Sequence, residues 1–369
     1  MALSKVNPNL ITQGATGRKN LVINGAMTVA QRVGTTSTVA NNYGATPDRI
    51  RQEAYGDATA SWQQVTDAPV GFKNSLKVTC AGTALPSAGN TLRLMTGLEG
   101  QDIAHLEYGT AQAKNATLSF YVKASETGIY STALVNIAPS GNIVSNVNRS
   151  HIKTYTIDSA NTWEYKTLTF SGCPDGTWGS SNSNGITIVF DLGSGSNHQG
   201  AKDSWLTTSD TFAAGQVSLG DSNGGSWQMT GLQFELGSVA TDFEHRTYAE
   251  SLLACQRYYE IIADGGRAND SPFFGIGHGV KSDQINWFYD FKAEKRATFT
   301  LIVNTVTNGY YGKNHSSEKN NNTLGMTSVH QSLHSIRGYL TGITGVTEQS
   351  AYSMQCNGAG CLIAVEAEL

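Results

Sequence analysis

The chain has 369 residues, which is long enough for two domains that each bury an ordinary core. Charged residues make up 15% of it, well below the figure of about 25% for typical soluble proteins. The 40 glycines exceed the usual share of roughly 7%, which indicates a turn-rich β protein with a polar, uncharged surface. A formal net charge of −4 supplies no basic field for a phosphate backbone, which argues against a nucleic-acid partner.

The 5 cysteines form an odd-numbered set without regular spacing, which argues against a disulfide framework or a zinc site. They are Cys80, Cys173, Cys255, Cys356 and Cys361. We therefore expect free thiols, most of them buried. The first residues lack an apolar run, and a stretch of about 18 apolar residues occurs nowhere. Insertion into a membrane is therefore not expected.

Residues 1–20 are polar, are interrupted by Pro8, Gly14 and Gly17, and contain few apolar anchors. A segment of this composition orders only against a partner. We expect it to act as a docking segment that precedes the first domain.

After residue 20, short stretches alternate apolar and polar residues. In "NSLKVTCAG", Leu76, Val78 and Cys80 alternate with polar residues, and "ATLSFYVKAS" and "GITIVFDLG" show the same pattern. Each stretch predicts a half-buried antiparallel strand. Polar connections such as "GSSNSNG" separate the strands. Together they predict an all-β fold with a jelly-roll β-sandwich over residues 21–246.

Two of the predicted strands change phase. In "NTWEYKTLTFSG" the apolar face shifts by one residue near Thr167, and in "WQMTGLQFELGS" it shifts at Gly231. A shift of one residue moves side chains to the opposite face of a sheet, which is what a β-bulge produces. We therefore predict a bulge at each position.

A helix follows the predicted sandwich. Thr247 and Glu250 have the spacing of a capping box, in which each side chain bonds the other residue's amide. The apolar stripe beyond it consists of Leu252, Cys255, Tyr259 and Ile262. This spacing predicts a helical hinge of about four turns over residues 247–264, ending near Gly265. Strand patterns resume in "INWFYDFKAE" and "RATFTLIVN", which predicts a smaller β domain over residues 265–369.

Residues 20–32, "NLVINGAMTVAQR", and residues 232–259, "LQFELGSVATDFEHRTYAESLLACQRYY", resemble phage tail fibre and receptor-binding virion proteins with a carbohydrate-binding-module-like jelly roll. The second match is more specific, because Leu-Gln-hydrophobic-Glu, Phe-Glu-x-Arg and Cys-Gln-Arg-Tyr-Tyr follow in the family's order. "KRATFTLIV" and "IAVEAEL" are similar to the family's small β tip. In one departure, Ile50 follows Asp48 and Arg49 where relatives commonly have Trp, which puts the packing and a ligand platform there in doubt.

The resemblance implies a homotrimeric fibre or spike in the virion, on the tail or the head, assembled in the host cytoplasm. Residues 1–20 would dock to tail or capsid proteins. The jelly roll and the tip would bind host surface polysaccharide during adsorption. No cofactor is implied.

Several polar residues invite a chemical interpretation. Glu235, Glu244 and His245 could supply the two carboxylates of a glycosidase, but their place in the strand-linker motif favours a structural role. His330 and His334 are four residues apart but lack the Glu of a zinc-protease helix and a third ligand. Cys356 and Cys361 enclose "NGAG" and could meet, but no second pair exists for a metal site. We therefore predict no catalytic residue and no metal.

Aromatic residues in polar loops are the better candidates for glycan binding. Sugar rings stack on flat aromatic side chains, and a few convergent polar groups bond their hydroxyls. Trp178 and Trp205 lie in such loops, and Tyr310, Tyr311 and His315 fall in a polar stretch that predicts a long exposed loop. For both sets, packing in the core is the alternative. In the consecutive run Trp287 to Tyr289, at least one side chain must face outward.

The sequence therefore predicts a non-enzymatic phage fibre protein that docks to the particle and binds a host glycan or receptor. A capsid decoration or head fibre with a structural role is one alternative. A polysaccharide depolymerase spike is the other, and it would require paired carboxylates in an aromatic groove.

Overall fold

The computed structural model describes residues 18–32, 37–38, 47–56, 60–81, 87–137, 147–208, 210–265, 273–304, 309–314, 318–320, 326–341, 343–356 and 361–368. The chain divides into two compact units, Met1–Ser251 and Leu252–Glu368. Both are built almost entirely of antiparallel sheet, so the predicted all-β fold class is confirmed.

The first unit contains strands that form two large sheets and one short ribbon. They are β1 (Ser37–Thr38), β2 (Arg51–Tyr55), β3 (Ala60–Val65), β4 (Ser75–Cys80), β5 (Thr91–Glu99), β6 (Ala116–Ala124), β7 (Gly128–Ile137), β8 (Val147–Ile157), β9 (Glu164–Phe170), β10 (Asn184–Asp191), β11 (Gln199–Gly200), β12 (Trp205–Leu206), β13 (Phe212–Ala213) and β14 (Ser226–Leu236). The short helix α1 (Gly100–Ile103) follows β5, and 3-10 turns occupy Ala104–Leu106, Ser196–His198 and Leu219–Asp221.

The two large sheets of this unit each have six strands. Sheet A has the order β1-β3-β4-β14-β6-β9, and sheet B has the order β12-β8-β7-β10-β5-β2. Their inner faces meet in one apolar core. The Phe120 ring of sheet A, for example, lies 5.0 Å from Phe190 and 5.1 Å from Tyr155 of sheet B. The unit is therefore a β-sandwich, as predicted, and Ile50 is 2% exposed in its core.

Side chains on the predicted inner faces are buried as expected. Leu76 and Val78 on β4, and Leu118 and Phe120 on β6, are all 0% exposed. The apolar alternation in these stretches thus identified both the strands and their inward faces, because only one face of each strand meets the opposite sheet.

One predicted bulge is present and the other is wrong. The register of β14 against β6 shifts between Thr230 and Gln233, and Gly231 has a φ of +63°. The pairing of β9 with β6 is unbroken through Thr167. Tyr165 simply faces outward on β9, 46% exposed, so the apparent phase change near Thr167 reflects an exposed aromatic residue.

The outer face of sheet B is partly covered by the chain between β10 and β14. Leu206 and Ala213 in this segment pack on Val135 and Val189 of the sheet. Beside them, the buried Arg93 Nε lies 3.4 Å from Asp191 Oδ2. A buried charge pair of this kind needs further hydrogen bonds, and Asp191 Oδ2 accepts them from the hydroxyls of Ser194 and Thr211.

The second unit begins within helix α2 (Tyr248–Gln256). Its strands are β15 (Tyr259–Asp264), β16 (Phe273–Lys281), β17 (Gln284–Asp290), β18 (Thr300–Val303), β19 (Tyr310–Lys313), β20 (Glu318–Asn320), β21 (Met326–Gln331), β22 (Ser335–Thr341), β23 (Ala351–Cys356) and β24 (Leu362–Glu366). They form a three-stranded sheet, β15-β24-β18, and a seven-stranded sheet, β20-β19-β23-β16-β17-β22-β21.

The core of this unit includes Ile285, Trp287 and Met354, each 0% exposed. Phe288 is 48% exposed, as the consecutive aromatic run required. The stretch "INWFYDFKAE" therefore forms a strand, β17, as predicted.

Helix α2 begins as predicted but is shorter. The Thr247 amide donates to Glu250 Oε2 at 2.8 Å, and the Glu250 amide donates to Thr247 Oγ1 at 3.3 Å, so the capping box is formed. The predicted helix to residue 264 is wrong, because Tyr259–Asp264 forms β15 and pairs with β24. Aromatic and β-branched residues favour strands. Pairing with β24 therefore stabilises this segment as a strand rather than a helix.

The expectation of five free thiols is also wrong. Cys356 and Cys361 form a disulfide with their Cα atoms 5.9 Å apart, within the usual range for this bond. Cys356 ends β23, and Cys361 directly precedes β24. Cys80, Cys173 and Cys255 are buried and are not disulfide-bonded, as predicted.

Lys19 and Asn20 are hydrogen-bonded to the linker that precedes α2. The Asn20 amide donates to Glu244 Oε2 at 2.7 Å, and Arg246 Nη2 donates to Asn20 O at 2.8 Å. Lys19 Nζ also donates to Thr241 Oγ1 at 2.7 Å. We call these contacts the N-terminal latch. It joins the two sequence segments that carry the family resemblance.

Candidate functional site

The structure brings the two predicted loop tryptophans together. The Trp178 and Trp205 rings lie 5.5 Å apart, edge to face, and Tyr108 packs against both at 4.8 and 5.8 Å. His151 meets Trp205 at 5.1 Å. We call these four residues the tryptophan patch. The two tryptophans are half-buried and lean on the edge of the sandwich core.

Local pairing and hydrogen bonds fix the patch. Trp205 lies on β12, directly opposite His151 on β8. The Trp205 indole N–H donates to Ser171 O at 3.0 Å, and that of Trp178 donates to Asp175 O at 3.0 Å. Because the polar end of each indole is satisfied by backbone, the ring faces and edges are left for packing and for apolar contact with a ligand.

Ion pairs border the patch. Arg149 Nε lies 2.8 Å from Asp175 Oδ1, and Lys153 Nζ lies 2.8 Å from Asp203 Oδ1. The two aspartate side chains are 63% and 54% exposed. Carboxylate oxygens at the rim can accept hydrogen bonds from hydroxyl groups, so the patch combines apolar rings with polar acceptors, as sugar sites do.

Two buried polar atoms of the patch have no hydrogen-bond partner among the described residues. They are Tyr108 Oη and His151 Nδ1. Burial lowers the pKa of His151 to about 4, so the ring is neutral near pH 7. One nitrogen of a neutral ring can accept a hydrogen bond. Leaving such groups unpaired costs stability, and a buried water bonded to them would relieve that cost.

Tyr108 and His151 were missed at the sequence level for different reasons. Tyr108 stands in the polar turn sequence "EYGTAQAKN", where the same rule that selected Trp178 would have selected it. His151 lies inside β8, and a single histidine in a strand gives no sign of its neighbours. Only the pairing of β8 with β12 places it beside Trp205.

The predicted exposure of Tyr310 and Tyr311 is wrong. Both lie on β19 and are 1% and 8% exposed. Tyr310 Oη donates to backbone carbonyls, and Tyr311 Oη donates to Gln355 Oε1 at 2.6 Å. Tyr310 joins the core of the second unit, while Tyr311 lies on the other face of β19, beside its cross-strand partner Gln355 on β23. His315 lies outside the described residues.

The carboxylates of Glu235 and Glu244, which could have formed a glycosidase pair, instead accept hydrogen bonds from nearby structural groups. Glu235 is 3% exposed and accepts hydrogen bonds from the amide and the hydroxyl of Thr241. Glu244 accepts from the Asn20 amide and from Arg246. Both therefore have the structural role that their sequence motif predicted.

The described part of the chain contains no group of three or more side chains placed to hold a metal ion. His334 is exposed in the turn before β22, so the predicted spacing with His330 does not fall on a helix. Neither helix in the described ranges has the length and hydropathy of a membrane span.

No protein-family model matches the sequence, and no curated protein is detectably similar to it. Solved structures with similar folds include the enzymatically active domain of tailspike protein 4 of bacteriophage CBA120, at 14% identity and a TM-score of 0.29 over 59% of this chain. The match spans only 21% of that tailspike chain.

Two carbohydrate-binding modules are also similar to this chain. A CBM4 module has 14% identity and a TM-score of 0.31, with 58% of this chain and 98% of the module covered. A family 11 module from Clostridium thermocellum, in complex with a β-1,3-1,4-mixed-linked tetrasaccharide, has 12% identity and a TM-score of 0.29, with 57% and 99% covered. At these values the likeness assigns no ligand to this chain.

Proposed function

We propose that this chain is a non-enzymatic virion fibre protein of a phage that binds host surface glycan through the tryptophan patch. The observation that carries the proposal is the convergence of Trp178, Trp205 and Tyr108 beside the exposed carboxylates of Asp175 and Asp203. Aromatic faces suit the C–H faces of sugars, and the carboxylates suit their hydroxyls. The sequence resemblance at residues 20–32 and 232–259 supports the phage assignment.

The virion role has a separate basis. Residues 1–20 are polar and contain few apolar anchors, a composition that orders against a partner. We propose that they dock to tail or capsid proteins and that the assembled fibre is a homotrimer. Several copies on one particle would convert weak binding at single sites into firm attachment.

Glycan binding is tested by titrating the purified chain with host surface polysaccharide. Trp178→Ala should weaken binding by about tenfold, the effect of losing one stacked aromatic contact. Trp178→Phe keeps an aromatic ring and should lose less. Phe288→Ala, which removes an exposed aromatic ring from the second unit, is the control. Equal affinity of wild type and Trp178→Ala would contradict the site.

The docking role is tested by deleting residues 1–17 and keeping Lys19 and Asn20 for the latch. The shortened chain should fold, keep its oligomeric mass in light scattering and fail to join virions. Incorporation at the wild-type level would refute the role. The size of the polysaccharide after incubation separates the alternatives, because a depolymerase spike would shorten the polymer and a fibre would leave it intact.

A further inference from the structure

A row of aromatic rings crosses the outer face of sheet A, away from the tryptophan patch. Tyr165 lies 4.9 Å from Tyr121, Tyr121 lies 5.5 Å from Phe72, and Phe72 lies 5.0 Å from Phe243. His245 closes the row, 4.9 Å from Phe243 and 5.2 Å from Phe72. We call these five residues the aromatic ladder.

The ladder is built from separate parts of the chain. Tyr165 and Tyr121 are cross-strand partners on β9 and β6. Phe72 comes from the turn before β4, and Phe243 and His245 come from the linker after β14. Four separate segments therefore place aromatic rings side by side on one surface. Tyr165 is 46% exposed and His245 is exposed, while the three rings between them are half-buried.

The bulge at Gly231 makes room for the middle of the ladder. A Cβ atom at Gly231 would lie 2.8 Å from Phe72 Cζ and 3.1 Å from Tyr121 Cδ2. The glycine also has a φ of +63°, a conformation that other residues adopt only at a cost. The missing side chain thus lets Phe72 close over the sheet and meet Tyr121.

The surface around the ladder is polar, and two of its basic side chains are paired with carboxylates. Lys123 bonds Asp67, whose carboxylate also accepts from the Trp163 indole N–H at 3.3 Å. Arg246 is paired with Glu244. Next to the rings stands the exposed hydroxyl of Thr167, on the same face of β9 as Tyr165. The groups beside the ladder that could contact a ligand therefore include hydroxyls and ion pairs without net charge.

We propose that the aromatic ladder is a second glycan site, which takes a linear, uncharged polysaccharide along its row of rings. This inference rests on the proposed glycan-binding function and adds a site and a substrate class to it. Successive rings can each meet the C–H face of a sugar. The two tyrosine hydroxyls and Thr167 can bond sugar hydroxyls.

Charge argues against the other ligands that stack on aromatic rows. Single-stranded nucleic acid also stacks on aromatic rings, but it needs a basic groove along the backbone. Here the neighbouring Lys123 and Arg246 are each paired with a carboxylate, and the chain has a net charge of −4. The negative net charge also disfavours an acidic polysaccharide. A neutral glycan needs no unpaired cation.

The test uses the full chain on an array of neutral and acidic bacterial surface glycans, followed by titration calorimetry with the best neutral polymer. Tyr165→Ala should raise the Kd for that polymer by about tenfold, because it removes one exposed ring from the ladder. Phe288→Ala is the matched control and should leave the Kd unchanged. Thermal unfolding checks that both variants fold.

The outcomes separate the two sites. Binding that is lost in Trp178→Ala but unchanged in Tyr165→Ala overturns the ladder and leaves the proposed function standing. Absence of binding to every glycan overturns both. Preference for acidic glycans overturns the substrate class. A drop in oligomeric mass in Tyr165→Ala, without a change in glycan affinity, would assign the ladder to a contact between copies of the chain.

Discussion

The pH dependence of stability provides a test of the tryptophan patch that needs no ligand. Burial lowers the pKa of His151 to about 4, against about 6.5 for an unperturbed histidine. Lys153 lowers the pKa further, and Asp203 opposes it. The ring is 1% exposed, so protonation would place a charge between Trp205 and Phe170.

The sign follows from proton binding in the two states. Between pH 6.5 and about 4, His151 is protonated in the unfolded chain and neutral in the folded chain. The unfolded state therefore binds more protons, and stability falls as the pH falls. The full contribution is present above pH 6.5 and amounts to about 3 kcal/mol, since each pH unit is worth about 1.4 kcal/mol.

Urea unfolding at several pH values between 7.5 and 4.5 measures this slope. Tryptophan fluorescence reports the first unit, because every tryptophan except Trp287 lies there. His151→Gln should flatten the slope relative to wild type. Burial also lowers the pKa values of His105 and His198, but these groups are common to both proteins and cancel in the difference. Equal slopes would refute the burial of a neutral His151.

Two further predictions concern stability elsewhere in the chain. Lys295 Nζ lies 2.6 Å from Glu260 Oε2 with both side chains 0% exposed, so Lys295→Met should cost about 3–5 kcal/mol by leaving the carboxylate unpaired. Adding Glu260→Gln should recover most of it in calorimetric unfolding, and a double variant as unstable as the single one would contradict the pairing. Gly231→Ala should cost about 1–2 kcal/mol from its positive φ and displace Phe72. Unchanged stability in denaturant unfolding would contradict that strain.

Local patterns predicted the features that depend on neighbouring residues. The alternation around Leu76 and Phe120 identified buried strands, the spacing of Thr247 and Glu250 identified a helix start, and the phase change at Gly231 identified a bulge. Each depends on backbone geometry within a few residues, so the sequence alone contains the signal.

Apart from the bulge expected near Thr167, the mispredicted features depend on distant partners. Tyr310 and Tyr311 stand in a polar stretch, yet pairing with β23 turns them into buried strand residues. Tyr259–Asp264 fits a helical stripe, yet β24 recruits it as a strand. Likewise, Trp178 and Trp205 were each found from local composition, while their meeting depends on the edge of the sandwich. Sequence spacing does not report such long-range contacts.

The N-terminal latch has a mechanical consequence for a chain held at one end and pulled at the other. Its bonds from Asn20 to Glu244 and Arg246 tie together two points that enclose the whole sandwich in the sequence. Tension applied outside these points passes directly across the latch, and the sheets between them carry none until its bonds break. The latch thus protects the sandwich from being stretched by a force applied along the chain.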